Sequence, residues 1–484
     1  MTGEGLLDTL FLAWSTLWHL PHIRAWLTAG WALYLLWLGG WIVLQKRDPA
    51  ATLSWLISLA ALPYFGFLIY YVFGPQRLKR QRARRLRHRV TLPADAEGST
   101  VEMQELQTLA QATTGLAPSD ASSVGLLVDG CNKYPALLEA IRNARHHVHL
   151  EYYILEPDST GGALLDALVE RARAGVAVRL LVDAVGSKRA KKRFFAPLLE
   201  AGGELAWFHP ARFWLPWRRP WLNLRTHRKI VIIDGEVGFI GGINITDEED
   251  ERLRRDAYRD LHLRLEGRIL RNLQDVFVED WAYATRRRDF VEDLARSLPK
   301  PSPGAIRVQL LTSGPDSGWE AIHRLHVGSI HAATRRVWLA TPYFVPGEAA
   351  LMALTSAALG GLDVRLLVPK MSDSRLVTYC VRSYFDELLA AGVKIFEYGP
   401  RMLHSKALLV DDHLAIIGSA NFDQRSFRLN FEASLLIDDT CIAAELEQLL
   451  IDEFASAAQV QHRGRLSLSA RLAESLARLV APLL

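Results

Sequence analysis

The arrangement that constrains this chain most is a string written twice. THRKIVIIDGEVGFIGGIN, with a histidine at 227, is answered by LHSKALLVDDHLAIIGSAN, with a histidine at 404, and from His227 to Asn244 and from His404 to Asn421 the two keep step without insertion. Further echoes surround them: IRNARHHVHL from Ile141 returns as IHAATRRVWL from Ile330, and VRLLVDA at Val178 returns as VRLLVPK at Val364. Self-similarity on this scale means one structural unit used twice. Each copy alternates short β-branched apolar runs with helical stretches such as Gly162–Gly175 and Ser383–Gly392, the pattern of an α/β layer structure. KIVIID and KALLVD read as central strands covered on both faces. The expected fold is two homologous α/β domains, 124–300 and 301–484, packed pseudo-symmetrically around one shared cleft.

The repeated string also carries chemistry. The period of two in a strand puts His227, Lys229 and Val231 on one face, and likewise His404, Lys406 and Leu408. Asp234 and Asp411 have the opposite parity and precede Gly235 and Asp412, where a turn is expected, so they are read as braces of the motif. Downstream, Asn244, Ser419 and Asn421 sit among small residues and offer neutral donors suited to phosphate oxygens. A single histidine two residues from a lysine is common and says little. Two such strings, each followed at the same distance by GG or GS and an asparagine, point to a phosphodiester held between two histidines and two fixed positive charges.

The N-terminal region has a different character. Ala25 to Leu44 and Ala50 to Phe73 carry no charge, and each meets the roughly 20-residue requirement of a membrane helix. Only Gln45 to Pro49 lies between them, so residues 25–74 are expected to form a hairpin of two spans, with residues 1–24 as an interfacial segment. The first basic residue is Arg24 and a second span follows at once, unlike a signal peptide, so the hairpin is expected to remain attached. Arg77, Lys79, Arg80, Arg82, Arg84, Arg85, Arg87 and Arg89 follow the second span, against Lys46 and Arg47 in the turn, so the remainder is expected on the cytoplasmic side. With a net charge of only +4, this local run matters more than the total, and beside a membrane it suits anionic headgroups. Residues 75–123 are read as a basic juxtamembrane linker whose polar part, from Thr91, is mobile.

Three cysteines, Cys131, Cys380 and Cys441, are far apart and lack any CxxC spacing, against a disulfide framework or cysteine-bound zinc and in favour of buried thiols. Trp207 to Trp221 packs four tryptophans among Phe208, Arg212, Phe213, Arg218 and Arg219. That mixture suits a lipid interface, with a hydrophobic subcore or single-stranded nucleic acid as alternatives. Arg465 to Leu484 places leucines at helical spacing and reads as an amphipathic helix, on the body or on lipid.

His227-Arg228-Lys229 through Asp234 and His404-Ser405-Lys406 through Asp411 resemble the paired HKD motifs of the phospholipase D superfamily, and nearly the whole chain is similar to bacterial cardiolipin synthases. The likeness includes the KRDP turn, Asn223 and Arg225 ahead of the first motif, TPYFVP at Thr341, NFDQRS after Asn421 and the terminal PLL. TDEED at Thr246 and Tyr258 depart from it, at the rim of the first half. The resemblance implies two phospholipase D-like domains around one active site in the bacterial inner membrane, without metal or cofactor. It implies transfer of a phosphatidyl group from one phosphatidylglycerol to another through a phosphatidyl-histidine, releasing glycerol. By superfamily habit His227 is the nucleophile and His404 the acid and base, although the near-symmetric motifs allow the reverse. Each ring needs its other nitrogen held, and Asp260 and Glu432 are the acids placed to do so, or to serve as plain salt-bridge partners. The hairpin disfavours nucleic acid as a partner. Phosphatidylethanolamine as donor, water as acceptor and a silent lipid-binding scaffold stay open, as does the oligomeric state.

Overall fold

The computed structural model describes residues 22–44, 52–53, 56–57, 59–60, 101–209, 224–299, 302–461, 463–464, 467–479 and 481. The chain divides into two compact units, Met1–Gln76 with Phe213–Pro220, and Arg77–Arg212 with Trp221–Leu484. In the smaller unit α1 (Ile23–Val43) packs Leu38 and Ile42 on Leu59, while Trp26, Leu33, Leu36 and Trp37 stay exposed. Among the described residues no helix is long and apolar enough to cross a membrane. Most of the second expected span, the interfacial segment, the basic run and the aromatic cluster beyond His209 lie outside the described residues.

Among the described residues the larger unit opens with α2 (Val101–Thr114) and β1 (Ser119–Ala121). The sequence reading of this stretch as mobile gives way here. Met103, Leu106 and Ala110 are buried along one helical face, where they join the core of the second half, and β1 pairs antiparallel with a strand of that half, Ser119 opposite Val308.

The first sheet contains β2 (Ser123–Val128), β3 (His147–Tyr152), β4 (Ala177–Asp183), β5 (Glu204–Phe208), β6 (Ile230–Ile233), β7 (Val237–Gly241) and β8 (Leu261–Glu266), in the spatial order β2-β8-β7-β6-β3-β4-β5. The second contains β9 (Ile306–Ser313), β10 (Arg336–Ala340), β12 (Asp363–Pro369), β13 (Lys394–Tyr398), β14 (Ala407–Val410), β15 (Leu414–Gly418) and β17 (Glu432–Asp438), in the order β9-β17-β15-β14-β10-β12-β13. Strand for strand the two orders correspond, so the duplication read in the sequence is a duplication of topology. β1 and β18 (Ala457–Val460) extend the second sheet at its two ends, and β11 (Phe344–Val345) pairs apart with β16 (Phe422–Asp423).

Both sheets are mixed because β3–β4 and β10–β12 are parallel while the HxK hairpins are antiparallel. A parallel pair needs a crossover, here supplied by α4 (Ser159–Arg173), which follows α3 (Asp129–Arg142), and by α7 (Glu348–Leu359), which follows α5 (Ile269–Thr285) and α6 (Ala321–Ala332). Asp158 caps α4 by accepting from Gly161 N, and Leu164, Leu168 and Ala172 recur along its buried face. β6 and β14 are buried at every position, as expected of central strands. One core cluster draws Ile232, Leu263 and Phe277 from the first half and Leu409, Leu435 and Leu446 from the second. Burial of this kind stabilises by about 25 cal/mol per Å2 of apolar area and makes the halves a single packed body.

The terminal helix α8 (Leu468–Leu479) lies on the body by its polar and small residues: Glu474 and Ala477 are buried, and Arg463 Nη2 is 2.5 Å from Glu474 Oε1. Its leucines 468, 472, 476 and 479 are exposed, so the apolar stripe does not form the packing face. The three thiols are free; Cys380 is buried, Cys131 half-buried and Cys441 exposed.

Candidate active site

β6 begins at Ile230 and β14 at Ala407, so each HxK lies in the extended run leading into its strand. Those runs are exchanged between halves. Thr226 bridges Phe431 and Leu403 bridges Arg259, both in parallel. His227 N–H donates to Phe431 O at 2.8 Å and His404 N–H to Arg259 O at 2.7 Å. Phe431 and Arg259 each directly precede the acid read as a histidine partner, and the backbone pairing therefore carries each acid to the histidine of the other half.

Glu432 Oε2 lies 3.0 Å from His227 Nδ1, and Asp260 Oδ2 lies 2.6 Å from His404 Nδ1. A ring whose Nδ1–H is given to a carboxylate keeps its lone pair on Nε2. Ser419 Oγ donates to Glu432 Oε2 at 2.5 Å, Asn430 Nδ2 donates to Oε1 at 3.1 Å, and the Ser419 carbonyl is 3.0 Å from His227 Nδ1. At the corresponding place in the first half stands Gly242, where a Cβ would meet Asp260 Oδ1 at 2.2 Å. Burial pushes the His227 imidazole down to about 4, with Lys229 and Lys406 adding to the effect and Glu432 opposing it. The Glu432 and Asp260 carboxyls are penalised by burial, yet the cations beside them hold both below the usual range.

Both lysines are buried. Lys229 Nζ donates to His227 O at 2.8 Å and lies 5.4 Å from the Tyr153 ring centre; burial lowers its ammonium to about 7. Lys406 Nζ donates to His404 O and lies 3.5 Å from Asp260 Oδ2, and burial lowers it too, against the pull of Asp260. Tyr153 also meets the His227 ring edge-on at 4.9 Å.

Asp234 and Asp411 stand behind the motif. Each occupies a hairpin turn with positive φ, 55° and 52°, which aspartate tolerates better than most residues. Asp234 accepts from the backbone N–H of Arg145, His146 and His147 at 2.7–2.8 Å, and Asp411 from those of Thr334, Arg335 and Arg336 at 2.8–3.0 Å. They tie the hairpins to the starts of β3 and β10.

The downstream asparagines differ. Asn244 donates from N and Nδ2 to Glu249 at 2.9 and 2.7 Å, and its carbonyl accepts from Tyr134 OH and the buried Lys133 Nζ at 2.9 and 3.0 Å. Asn421 N–H donates instead to Ser426 Oγ at 3.3 Å. Glu249 and Ser426 occupy matching places in the repeat, so the two-fold is broken by a carboxylate. Glu249, Asp260 and His404 bring ligand-type atoms within 4.8 Å of one another. They could hold a cation only in competition with Lys406, whose ammonium already stands beside Asp260.

The sequence reading missed Glu249 as a site residue, although its signal lay in the TDEED departure and its register against Ser426. It also missed the buried network below Asp260. Asp129 accepts from Asp260 N, Arg259 Nη1 and Arg401 Nη2 at 3.1, 2.8 and 2.6 Å, and Arg259 Nε reaches Glu453 at 2.7 Å.

This geometry is matched by kinship. The family described as "Cardiolipin synthase, PLD-like domain" matches residues 137–281 and 327–454, and a cardiolipin synthase of Geobacillus kaustophilus is 40% identical over 467 residues, 92% of this chain and 91% of that protein. The chain belongs to the cardiolipin synthase family. A cardiolipin synthase of Alkalihalophilus pseudofirmus is 37% identical over 476 residues, 93% of this chain and 92% of that one. The phosphatidylserine synthase of Haemophilus influenzae, 16% identical, shares the fold with a TM-score of 0.57 over 78% of this chain and 100% of that one. Residues 32–75 match the family described as "Phospholipase_D-nuclease N-terminal". Like other cardiolipin synthases, a membrane-associated family, this chain is a phosphatidyl transferase of lipid biosynthesis.

Proposed function

We propose that the enzyme transfers a phosphatidyl group between two molecules of phosphatidylglycerol at one active site shared by the halves. The observation that carries this is the crossed pairing of Glu432 with His227 and Asp260 with His404. In the first step His227 Nε2 attacks phosphorus, the bond to the glycerol oxygen breaks, and His404 Nε2–H gives that oxygen its proton. In the second, His404 Nε2 takes the proton of a hydroxyl on the second phosphatidylglycerol. That oxygen then forms the new ester bond as the phosphorus–nitrogen bond breaks. Cardiolipin and glycerol leave.

His227, held neutral by burial, suits the nucleophile. Two carboxylates at His404, Asp260 and Glu249, against one at His227, suit His404 to carrying the proton. Lys229 and Lys406 supply the positive charge for the phosphoryl oxygens, so neither metal nor cofactor is required. Asn244, Ser419 and Asn421 shape the pocket for those oxygens, Ser419 also by fixing Glu432. Asp234 and Asp411 hold the two motifs in place.

The substrate's setting follows from the N-terminal region. Two charge-free stretches within 25–74, the exposed tryptophans and leucines of α1 and the basic run after them support a two-span hairpin in the bacterial inner membrane, with the catalytic halves in the cytoplasm. Purified enzyme in phosphatidylglycerol micelles should form cardiolipin and release glycerol in equal amounts, with or without a chelator. His227→Ala should abolish both, whereas His404→Ala should form no cardiolipin and release at most one slow equivalent of glycerol per enzyme, as labelled phosphatidyl accumulates on the protein. Phosphatidic acid as the main product would identify a hydrolase, unchanged lipid a silent scaffold, and cardiolipin from added phosphatidylethanolamine a different donor.

A further inference from the structure

Between α3 and α4, on the outer side of the first sheet, lies a cleft of about 420 Å3, within the range of small-ligand pockets. Its walls are mainly apolar: Leu137 and Leu138 from α3, Ala163 and Leu164 from α4, Ile245 and the half-exposed Leu253 from the loop beyond Asn244. An apolar space of this kind holds water poorly and takes apolar guests. Its charged residues, Asp250 and Arg252, pair with each other, Arg252 Nη2 standing 2.6 Å from Asp250 Oδ2, and Arg252 stays partly exposed.

The cleft shares a wall with the reacting centre. Ile245 and Asp250 line it, while Asn244 and Glu249, on the same turn, belong to the His404 side of the site. That wall is stiff. Asp158 accepts from Thr246 Oγ1 and Asp247 N at 3.0 and 2.8 Å, and Asp247 accepts in return from Thr160 N and Oγ1 at 2.8 Å each. Tyr134 lines the cleft and anchors the turn through its hydroxyl on Asn244 O.

We infer that this cleft holds one acyl chain of a glycerophospholipid whose phosphodiester is at His227 and His404. A preformed apolar slot beside a phosphodiester site, with a guanidinium exposed next to it, is complementary to an amphiphile with a long tail. A tail lodged there leaves the bilayer while its headgroup reacts. The assignment rests on phosphatidylglycerol as the substrate.

The full-length enzyme in detergent is photolabelled with phosphatidylglycerol bearing a diazirine near the end of one acyl chain, and the modified peptides are mapped by mass spectrometry. Label is expected on residues 134–138, 160–164 and 253, displaced by excess phosphatidylglycerol but not by free fatty acid, and reduced at least roughly tenfold in Ala163→Trp. Leu253→Asp, at the exposed lip, is the companion variant should the tryptophan disturb folding. In parallel, either variant should lose roughly tenfold of the kcat/KM preference for dioleoyl over dihexanoyl phosphatidylglycerol while turning over the short substrate normally. Labelling confined to other segments, displacement by fatty acid alone, or an unchanged chain-length preference overturns the inference. Cardiolipin synthesis by an enzyme with no label in the cleft sinks the cleft and spares the functional reading; labelled cleft with no cardiolipin does the reverse.

Discussion

Glu432 reaches across the boundary between the halves to His227, its Oε2 3.0 Å from Nδ1, while Asp260 reaches the other way to His404 at 2.6 Å. Neither His227 nor His404 takes its carboxylate from its own half, so the proposed chemistry depends on the halves being docked. In the proposed mechanism each carboxylate fixes a tautomer and balances charge on its ring as protons move.

Glu432→Gln keeps the size and a hydrogen-bonding group but loses the charge and permits the wrong tautomer. The expected effect is a fall in kcat of about a hundredfold to ten-thousandfold with little change in KM. Asp260→Asn should do the same, and the double variant should cost much less than the product of the two, because the groups act as one unit. Cardiolipin formation in mixed micelles measures all three. A kcat unchanged in either single variant removes the positioning role.

Lys229 is fully buried and lowered to about 7 from the usual lysine value of 10.5. Between those values the unfolded chain binds the proton more tightly than the folded one, so stability rises with pH across this window and the cost of burying the ammonium is fully present below about 7. Lys229→Met should therefore abolish cardiolipin formation and yet stabilise the fold at neutral pH by about 1–4 kcal/mol. It should also flatten the rise in stability from neutral to alkaline pH. Thermal melts of both proteins across that range check the sign; a destabilised Lys229→Met protein contradicts it.

How far the sequence revealed this site depended on range. The repeated strings, the central strands and the braces Asp234 and Asp411 were legible because each is encoded within a few residues: an apolar run, a turn, an alternation of two. The exchange of Asp260 and Glu432 was not, because the two acids follow their motifs at different spacings, and only the folded backbone shows which histidine each meets. The polarity of residues 91–123 points to mobility, whereas Met103, Leu106 and Ala110 at helical spacing within it carry the contrary signal that the fold follows. Glu249 was visible only as an irregularity, and its meaning came from lying opposite Ser426 across the pseudo-two-fold.

Asp411 accepts three backbone N–H groups and Asp234 another three, each from a turn where its own φ is positive. Asp411→Ala strands those donors and adds backbone strain, so a loss of about 2–4 kcal/mol is expected. Asp411→Asn, able to accept and to hold a positive φ, should lose less. His404→Ala is the control, with activity gone and the melting temperature nearly unchanged. Equal melting temperatures for the alanine variants at 411 and 404 contradict the division between brace and reacting group.

Asp129 stands one layer further back, where it is buried and accepts from Arg259 and Arg401 as well as from the backbone of Asp260. Arg401 comes from the second half and Arg259 from the first, so one carboxylate fastens the halves next to the residue that positions His404. Removing it leaves two guanidinium groups close together with Glu453 as their nearby carboxylate partner through Arg259. Asp129→Ala should destabilise the protein by about 3–5 kcal/mol, the usual cost of breaking a buried ion pair from one side. Because Asp260 loses the group that holds its backbone, kcat should fall in the protein that remains folded, while KM for phosphatidylglycerol stays near the original. Arg401→Met separates the two effects: it removes the contact between halves and leaves Asp129 on Asp260, so stability should drop with kcat largely retained. Steady-state kinetics and urea melts on the pair check this, and an Arg401→Met enzyme as slow as Asp129→Ala assigns the kinetic loss to docking of the halves in place of Asp260 alignment.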